Sequence, residues 1–376
     1  MRFTLSSSLL SSKLGILAKA ISSKNSMQIL ECFLFEIKAG KLTITANDNS
    51  NMMRCEIELN ECDGDGAFCV PNRIIMSAVK DMADQPVAFE INPNDNNITM
   101  NFQNGTYRFA GQSADDFPRL QPLSSPYSET TIPVGVLSQN ILRTIFATSD
   151  DDLHIVMNGI YFDLTEDSMN IVASDGYKLV RNMLYNLKSE LPASFLLPKK
   201  PAMLLRSMLD MSDEQDNVTI KFNASQAEIL TNDGFLSCTL IEGNYPKYNK
   251  VIPTDNPNVV TIDRKCFMSA LRHVLPFSNE ATGLVKFRLS LNNIELSAED
   301  INFATSAHED VVCEYSGVPM SIGFKGAALY EILNNIPSDD IVFELGDPSR
   351  AGVLHPATQP EGEDILMLIM PMLLNE

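Results

Sequence analysis

The sequence has no apolar run long enough to cross a membrane, since every hydrophobic stretch is interrupted well before about 20 residues. Its seven Cys form no CxxC pair and no regular spacing, which argues for reduced thiols in the cytoplasm and against a disulfide framework. The N-terminal segment is broken by Ser and Lys and lacks the apolar core of a signal peptide. These absences predict a cytoplasmic protein.

The motifs of common enzyme classes are also missing. No GxxxxGK[ST] loop is present, so we expect no ATPase activity. The four His have no HExxH or similar spacing, and CDGDG at 62–66 lacks the spacing of a calcium loop. We therefore expect no cofactor, no metal and no catalytic residue. One alternative stays open: a metal-dependent nucleic-acid enzyme that uses the acidic cluster Asp150, Asp151 and Asp152, although acidic runs of this kind commonly cap turns.

Positive charge is scarce. Lys and Arg number 28 against 48 Asp and Glu, which gives a formal charge of −20 at pH 7, and such a charge alone argues against nucleic-acid binding. A chain of 376 residues is long enough for two or three domains. With 44% hydrophobic residues, each domain can have its own core.

A sixteen-residue pattern occurs three times without gaps, at 33–48, 160–175 and 285–300. Three columns are identical: Phe35, Phe162 and Phe287; Ala46, Ala173 and Ala298; Asp48, Asp175 and Asp300. The copies recur at the length of a domain, far above the about 20–50 residues of a solenoid repeat. The sequence therefore predicts three similar domains, at 1–129, 130–254 and 255–376.

Apolar and polar residues alternate on both sides of a turn in each copy, which predicts a β-hairpin with one buried face. Amphipathic segments precede the copies at 7–22, 134–148 and 262–275, and others follow at 72–82, 198–211 and 324–336. Strand-like stretches occupy the rest of each third. The predicted fold class is α+β, with two helices packed on antiparallel sheets in every domain.

The few cations are concentrated in these helical segments, which hold thirteen Lys and Arg but four acids when the first segment is extended to residue 24. Most lie opposite the apolar stripe, and Glu331 breaks this rule in the sixth helix. One interpretation is ordinary solvent exposure. The other is sequence-independent binding of duplex DNA, because phosphate contacts carry no base information. The candidate DNA-binding residues are Lys19, Lys24, Arg73, Lys80, Arg143, Lys199, Lys200, Arg206, Lys265 and Arg272.

Four stretches together resemble the bacterial β sliding clamps, the processivity subunits of replicative DNA polymerases: VASDGYKLV (172–180), NYPKYNKVIP (244–253), ADDFPRL (114–120) and LIMPMLL (368–374). The resemblance covers the whole chain. It implies that the three domains form half of a closed ring. Two chains would close the ring head to tail around duplex DNA, with helices inside and sheets outside.

The resemblance also implies a hydrophobic pocket for short linear motifs of the replicative polymerase, the clamp loader and repair proteins. Matched residue by residue, the pocket contains Met157, Ser174, Gly176, Tyr177, Lys178, Leu179, Pro246, Val251, Leu368, Met370, Pro371 and Met372. Methionine side chains repack around different partners. The chain departs from familiar members in having Tyr177-Lys178 for His-Arg and Leu373-Leu374 for Arg-Leu, which affects the expected motif preference.

The apolar part of the ring-closing interface is matched by Tyr107 and Phe109 in the first domain and by Leu275 and Phe277 in the third. Several charges that the resemblance implies at this interface have no clear match here. Its polar part is therefore unassigned from the sequence.

Overall fold

The structure is a computed structural model that describes residues 1–22, 27–59, 61–189 and 191–374. The chain passes three times through one order of elements: a strand, a helix, a three-stranded meander, a strand, a second helix and a second three-stranded meander. The first pass has two additional short strands, at residues 61–63 and 112–113. This order confirms the predicted α+β class and the three similar domains. The six predicted helical segments are all helices, with shorter ends than the sequence indicated.

The first copy comprises β1 (Arg2–Ser6), α1 (Ser7–Leu17), β2 (Cys32–Lys38), β3 (Lys41–Asn47), β4 (Asn51–Glu58), β5 (Glu61–Asp63), β6 (Gly66–Pro71), α2 (Asn72–Val79), β7 (Pro86–Ile91), β8 (Asn97–Phe102), β9 (Gly105–Ala110) and β10 (Gln112–Ser113). The second comprises β11 (Ser128–Pro133), α3 (Val134–Ile145), β12 (Gly159–Leu164), β13 (Met169–Ser174), β14 (Lys178–Leu184), β15 (Ala193–Pro198), α4 (Lys199–Leu209), β16 (Asn217–Phe222), β17 (Gln226–Leu230) and β18 (Gly234–Thr239). The third comprises β19 (Asn258–Asp263), α5 (Arg264–Val274), β20 (Leu284–Ser290), β21 (Asn293–Asp300), β22 (Thr305–Val312), β23 (Met320–Lys325), α6 (Gly326–Asn335), β24 (Asp340–Leu345), β25 (Gly352–Pro356) and β26 (Glu363–Ile369).

The repeated sixteen-residue segments are the predicted hairpins, β2–β3, β12–β13 and β20–β21, each paired antiparallel. Their shared Phe is fully buried in every copy, at 2% exposure or less. It packs against other aromatic rings, as Phe287 does against Phe267 and Phe324 at centroid distances of 5.9 and 5.6 Å. Period-two burial therefore fixes which face of each hairpin joins the core.

The repeated Asp caps the turn that follows each hairpin. Asp175 Oδ1 accepts hydrogen bonds from the backbone N–H groups of Tyr177 and Lys178, at 2.9 and 2.8 Å. Asp48 and Asp300 accept equivalent bonds from the residues that follow them. A short carboxylate can satisfy backbone donors two and three residues ahead, which explains why this one acid recurs.

The chain divides into two compact units. The first contains Met1–Ser138 with Lys200–Leu240, and the second contains Gln139–Lys199 with Ile241–Glu376. The first unit has a five-stranded sheet, β5-β1-β7-β8-β9, and a nine-stranded sheet, β10-β6-β2-β3-β4-β18-β17-β16-β11. The second has an eight-stranded sheet, β15-β12-β13-β14-β26-β25-β24-β19, and a four-stranded sheet, β22-β21-β20-β23.

The two largest sheets each form by joining meanders from successive copies. In the first unit β4 pairs with β18, and in the second unit β14 pairs with β26. The equivalents of these strands in the remaining copies are β22 and β9. Within the described residues, β22 is bonded on one side to β21, and β9 on one side to β8.

Two further expectations concern the whole chain. The seven cysteines are free thiols, five of them buried, and burial raises the pKa of the Cys69 thiol to about 12. Among the described residues, no helix has the length and apolar character needed to cross a membrane.

Candidate functional site

Among the described residues, the predicted cations fall into two groups, those without an acidic partner and those with one. Arg73, Lys80, Arg206 and Arg272 lie outside the buried stripes of α2, α4 and α5, and no acidic partner within 4.0 Å is found for them in the described part of the chain. Lys19 donates a hydrogen bond to Ser207 Oγ at 2.9 Å, so its charge is also uncompensated. Lys24 lies outside the described residues.

Other predicted cations are compensated by acids from distant parts of the sequence. Lys199 Nζ lies 2.7 Å from Asp150 Oδ1, and Lys265 Nζ lies 3.1 Å from Asp339 Oδ1. Lys200 is bonded to the turn residue Asp48. An ion pair leaves less positive potential for an external polyanion. These three cations therefore contribute less positive potential at the surface than the first set does.

Arg143 differs most from expectation. The helical arithmetic places it on the outward face of α3, but its side chain is 12% exposed and bonds Glu363 at 2.7 Å. Its other guanidinium nitrogen donates to Gln139 at 2.9 Å. The carboxylate of Glu363 on β26 lies against this part of α3. Arg143 therefore forms an ion pair inside the second unit and does not face outward.

The predicted pocket residues are built around the turn between β13 and β14 in the second unit. Gly176 has φ = +88°, a left-handed conformation that favours glycine. Its N–H donates to Ser174 Oγ at 3.1 Å, and the Tyr177 carbonyl accepts from Met370 N–H at 2.8 Å. Leu179 pairs with Leu368 across the β14–β26 junction. Pocket residues from two copies of the repeat are therefore in direct contact.

An apolar cluster lies under this turn. Leu179 and Leu368 pack with Val172, Tyr248 and Ala351. The Tyr248 hydroxyl donates to Asp163 at 2.8 Å, and burial raises the pKa of this phenol. This bond anchors the segment that carries two more predicted pocket residues, Pro246 and Val251.

The exposed part of the same region is strongly apolar. Tyr177 is 75% exposed, Val251 58% and Met370 42%, and Leu373 beyond them is 84% exposed. Pro371 and Met372 follow β26, and Met372 forms a backbone bridge to Gly323. Met157 ends a separate 3₁₀ turn, Asp152–Met157. Tyr177 and Met370 meet at this turn, and exposed apolar groups of this kind are typical of interaction surfaces.

The predicted interface residues lie on the edge strand β9 and in a turn after α5. Tyr107, on β9 of the first unit, is 43% exposed and packs against Phe102 at a centroid distance of 4.8 Å, while Phe109 on the same strand is half-buried. In the second unit, Leu275 and Phe277 form a 3₁₀ turn after α5, and Phe277 is 38% exposed.

Comparison with known proteins gives one consistent result over the chain. Residues 1–121, 131–247 and 249–373 match the N-terminal, central and C-terminal domains of the DNA polymerase III beta subunit. The chain belongs to the DNA polymerase III beta subunit family. It is a sliding clamp of that family and not an enzyme.

Relatives of this family span the full chain. The beta sliding clamp of Synechococcus elongatus is 25% identical over 97% of both chains, and that of Pseudomonas aeruginosa is 23% identical over 99% of this chain and 100% of the relative. Two solved clamps cover 100% of both chains: the DNA polymerase sliding clamp of Pseudomonas aeruginosa at 23% identity and TM-score 0.91, and the DNA polymerase III beta subunit of Thermotoga maritima at 24% and 0.90.

The acidic cluster that suggested an enzyme has a structural role in this clamp. Asp150 pairs with Lys199. Asp151 accepts a hydrogen bond from Leu153 N–H at 2.9 Å, and this bond, with His154, lowers the pKa of the carboxyl. No group of three metal-ligating side chains is found across the described ranges. The matches are to sliding clamps and not to enzymes, so they do not support the nuclease alternative.

Glu331, the acid that broke the basic pattern of the helices, forms an ion pair with Lys178, one of the predicted pocket residues. Lys178 Nζ lies 3.0 Å from Asp175 Oδ2 and 3.2 Å from Glu331 Oε2, and its side chain is 11% exposed. Burial alone would lower the pKa of Lys178, but the bonds and charges of Asp175 and Glu331 raise it above its ordinary value. No local sequence pattern links residues 178 and 331.

We expect Glu331→Gln to lower the stability of the clamp by about 0.5–1 kcal/mol at pH 7, because Lys178 loses one of two carboxylates in a mostly covered site. A lysine whose pKa is raised on folding stabilises the folded state fully at pH values below its ordinary pKa, about 10.4. This stabilisation is lost as the pH rises through the raised pKa. Urea denaturation should show that the difference in unfolding free energy between the parent and Glu331→Gln is smaller above pH 10.5 than at pH 7.

Asp339→Asn is the matched control, since it removes the carboxylate of the exposed Lys265–Asp339 pair, whose side chains are 72% and 80% exposed. This variant should match the parent within about 0.3 kcal/mol. Equal losses in both variants would contradict a special role for the covered pair.

Proposed function

We propose that this clamp encircles duplex DNA as a head-to-tail homodimer and confers processivity on the replicative polymerase in the cytoplasm. Each chain supplies three domains, at 1–129, 130–254 and 255–376. A terminal pocket docks short linear motifs of the polymerase, the clamp loader and repair proteins. Binding to DNA is independent of sequence.

The observation that carries the proposal is that two edge strands, β22 and β9, are equivalents of strands that are joined inside the chain. The two β-meander junctions inside the chain use equivalent strands, β4 with β18 and β14 with β26. One strand of each type, β22 and β9, is left over. An edge strand exposes unpaired N–H and C=O groups, and a second chain can satisfy both edges by repeating the same junction twice.

The internal junctions also indicate the register. Val180 stands opposite Met367 in one junction, and Met53 opposite Leu236 in the other. Their equivalents are Ala307, which faces Ala298 in the column shared by the three copies, and Tyr107, which faces Met100. Repeating the junction between chains places Ala307 opposite Tyr107, so this exposed ring becomes covered. Using unlike strands makes the contact head to tail, and two such contacts close a ring.

The uncompensated cations support the role on DNA. The chain carries a net charge of −20, yet Arg73, Lys80, Arg206 and Arg272 stand on helices without acidic partners among the described residues. Contacts to phosphate by such side chains have no base specificity and weaken with salt. These properties suit a protein that must move along the duplex.

The exposed apolar surface around Tyr177, Val251 and Met370 supports the docking role. A Pseudomonas aeruginosa clamp of TM-score 0.92 has been solved bound to griselimycin, so a protein of this fold can hold a further ligand.

We expect the purified clamp to stay on nicked circular DNA and to leave when the circle is linearised, because a closed ring is held topologically. Phe277→Asp should give half the parent mass in solution and no retention, since it places a charge at the apolar part of the interface. Light scattering and gel filtration with labelled circles measure both. Unchanged mass for Phe277→Asp, or retention on linear DNA, would contradict the ring.

We expect Arg272→Glu to weaken DNA binding more than Lys265→Glu, although both lie on α5. Arg272 has no acidic partner in the described chain, whereas Lys265 is already paired with Asp339. Losing one phosphate contact should reduce the slope of log affinity against log salt by about 1. Titrations on a short duplex at several salt concentrations test this, and equal slopes for the two variants would remove the distinction.

We expect Met370→Glu to weaken binding of a polymerase-derived motif peptide at least about tenfold, because the half-exposed Met370 side chain lies beside Tyr177 and the change places a charge in the proposed apolar pocket. Fluorescence anisotropy measures the affinity. Leu291→Glu, at another apolar residue with 73% exposure, should bind normally. Parent-like affinity in Met370→Glu would place the pocket elsewhere.

A further inference from the structure

The turn between β21 and β22 exposes two large apolar side chains next to an unpaired edge. Ile301 is 85% exposed and Phe303 is 74% exposed. The turn is ordered by Asp300, whose Oδ1 accepts from Asn302 N–H at 2.8 Å and whose Oδ2 accepts from Asn279 Nδ2 at 3.1 Å. Fixed apolar groups beside an open strand mark an interaction surface.

The equivalent turns in the other two copies show what such a turn contacts when its meander is joined. Where β4 meets β18, the Ser50 carbonyl accepts from Thr239 N–H at 2.9 Å. Where β14 meets β26, the Tyr177 carbonyl accepts from Met370 N–H at 2.8 Å. In both junctions the turn therefore lies over the end of the partner strand.

Each of these turns also forms an ion pair with the helix that precedes the partner meander. Asp48 is bonded to Lys200 on α4, and α4 precedes β16–β18. Lys178 is bonded to Glu331 on α6 at 3.2 Å, and α6 precedes β24–β26. The contact between turn and helix is thus a constant feature of the junction, although the signs of the charges are reversed.

The helix that precedes β7–β9 is α2. If β22 joins β9 of a second chain, the same geometry brings the turn at Ile301 and Phe303 onto α2 of that chain. The exposed part of α2 includes an apolar residue, Ile74, with 46% exposure. Asp300, the equivalent of Asp48, accepts from Asn279 within its own chain, and the exposed segment 301–304 has no ionisable side chain, so this segment offers α2 an apolar contact.

We propose that Ile301 and Phe303 dock on Ile74 of a second copy of this chain and add an apolar contact between turn and helix at the intermolecular junction. The proposal rests on the homodimer described above. It assigns ring-closing residues beyond the apolar set at Tyr107, Phe109, Leu275 and Phe277. Burial of an aromatic and two aliphatic side chains against each other removes a large apolar surface from water and stabilises a contact.

The test is a charge exchange. Phe303→Glu and Ile74→Lys, each alone, should weaken dimerisation at least about 30-fold, because each places an unpaired charge against an apolar surface. The double variant Phe303→Glu with Ile74→Lys should recover at least about tenfold over either single variant. Its dimerisation should weaken with salt more steeply than that of the parent. Analytical ultracentrifugation over a concentration series gives each dissociation constant.

Two controls separate this contact from folding and from the ring itself. Leu291→Glu carries the same new charge at a matched exposure of 73%, at the opposite end of β21, and should dimerise normally. Circular dichroism melts should match the parent for all variants, and Phe303→Gln provides a milder change if Phe303→Glu melts early.

The outcomes are distinct. A monomeric parent would overturn the homodimer. A dimeric parent with unaffected single variants would leave the ring standing and overturn the docking of the turn. Weakened single variants without recovery in the double variant would show that Phe303 and Ile74 do not meet, and would also overturn the proposal.

Discussion

Backbone pairing at strand edges is the constraint on which this molecule depends. A β-meander of three or four strands cannot satisfy the N–H and C=O groups of its outer strands. The chain meets this requirement by joining meanders of successive copies, β4 to β18 in the first unit and β14 to β26 in the second. Backbone hydrogen bonds depend little on side-chain identity. The same junction therefore tolerates divergent sequences, and relatives near 25% identity share one fold.

The repeated Asp shows how side chains diverge over a conserved backbone. One carboxylate oxygen always caps the turn after the hairpin, but the second oxygen has a different partner in each copy. Asp48 bonds Lys200, Asp175 bonds Lys178, and Asp300 bonds Asn279. The capping role fixes the residue type. The second oxygen is free to adapt, and in the middle copy it draws Lys178 into the site proposed for partner motifs.

The sequence predicted the fold well because its strongest signals are local. Period-two alternation located the hairpins, the apolar stripes located all six helices, and the columns at Phe35 and Ala46 marked residues that are fully buried. Local patterns cannot show which strand edges join, and the β4–β18 and β14–β26 junctions were not foreseen. For the site, the motifs found the turn at Ser174–Lys178 and its contact with Leu368, since these lie in short stretches that resemble the family.

Ion pairs between residues far apart in the chain could not be predicted from the sequence for the same reason. Helical arithmetic gives the angle of Arg143 around α3, but it contains no information about Glu363, which lies far along the chain and covers that face. Lys199, Lys200 and Lys265 were likewise matched to helix faces while their acidic partners lie in other segments. Exposure and pairing are tertiary properties, so a count of helix cations overstates the charge available to a ligand.

This compensation bears on how a strongly acidic chain can work on DNA. If every helix cation were free, tight binding to phosphate would oppose sliding, because each released contact has an electrostatic cost that grows with their number. Pairing Lys199, Lys200 and Lys265 with acids leaves a smaller set of free cations, while the net charge of −20 repels DNA from the rest of the surface. In the proposed ring, closure supplies the retention that these weak contacts do not. Stable pairing at the strand junctions then makes weak DNA binding sufficient, and processivity requires both.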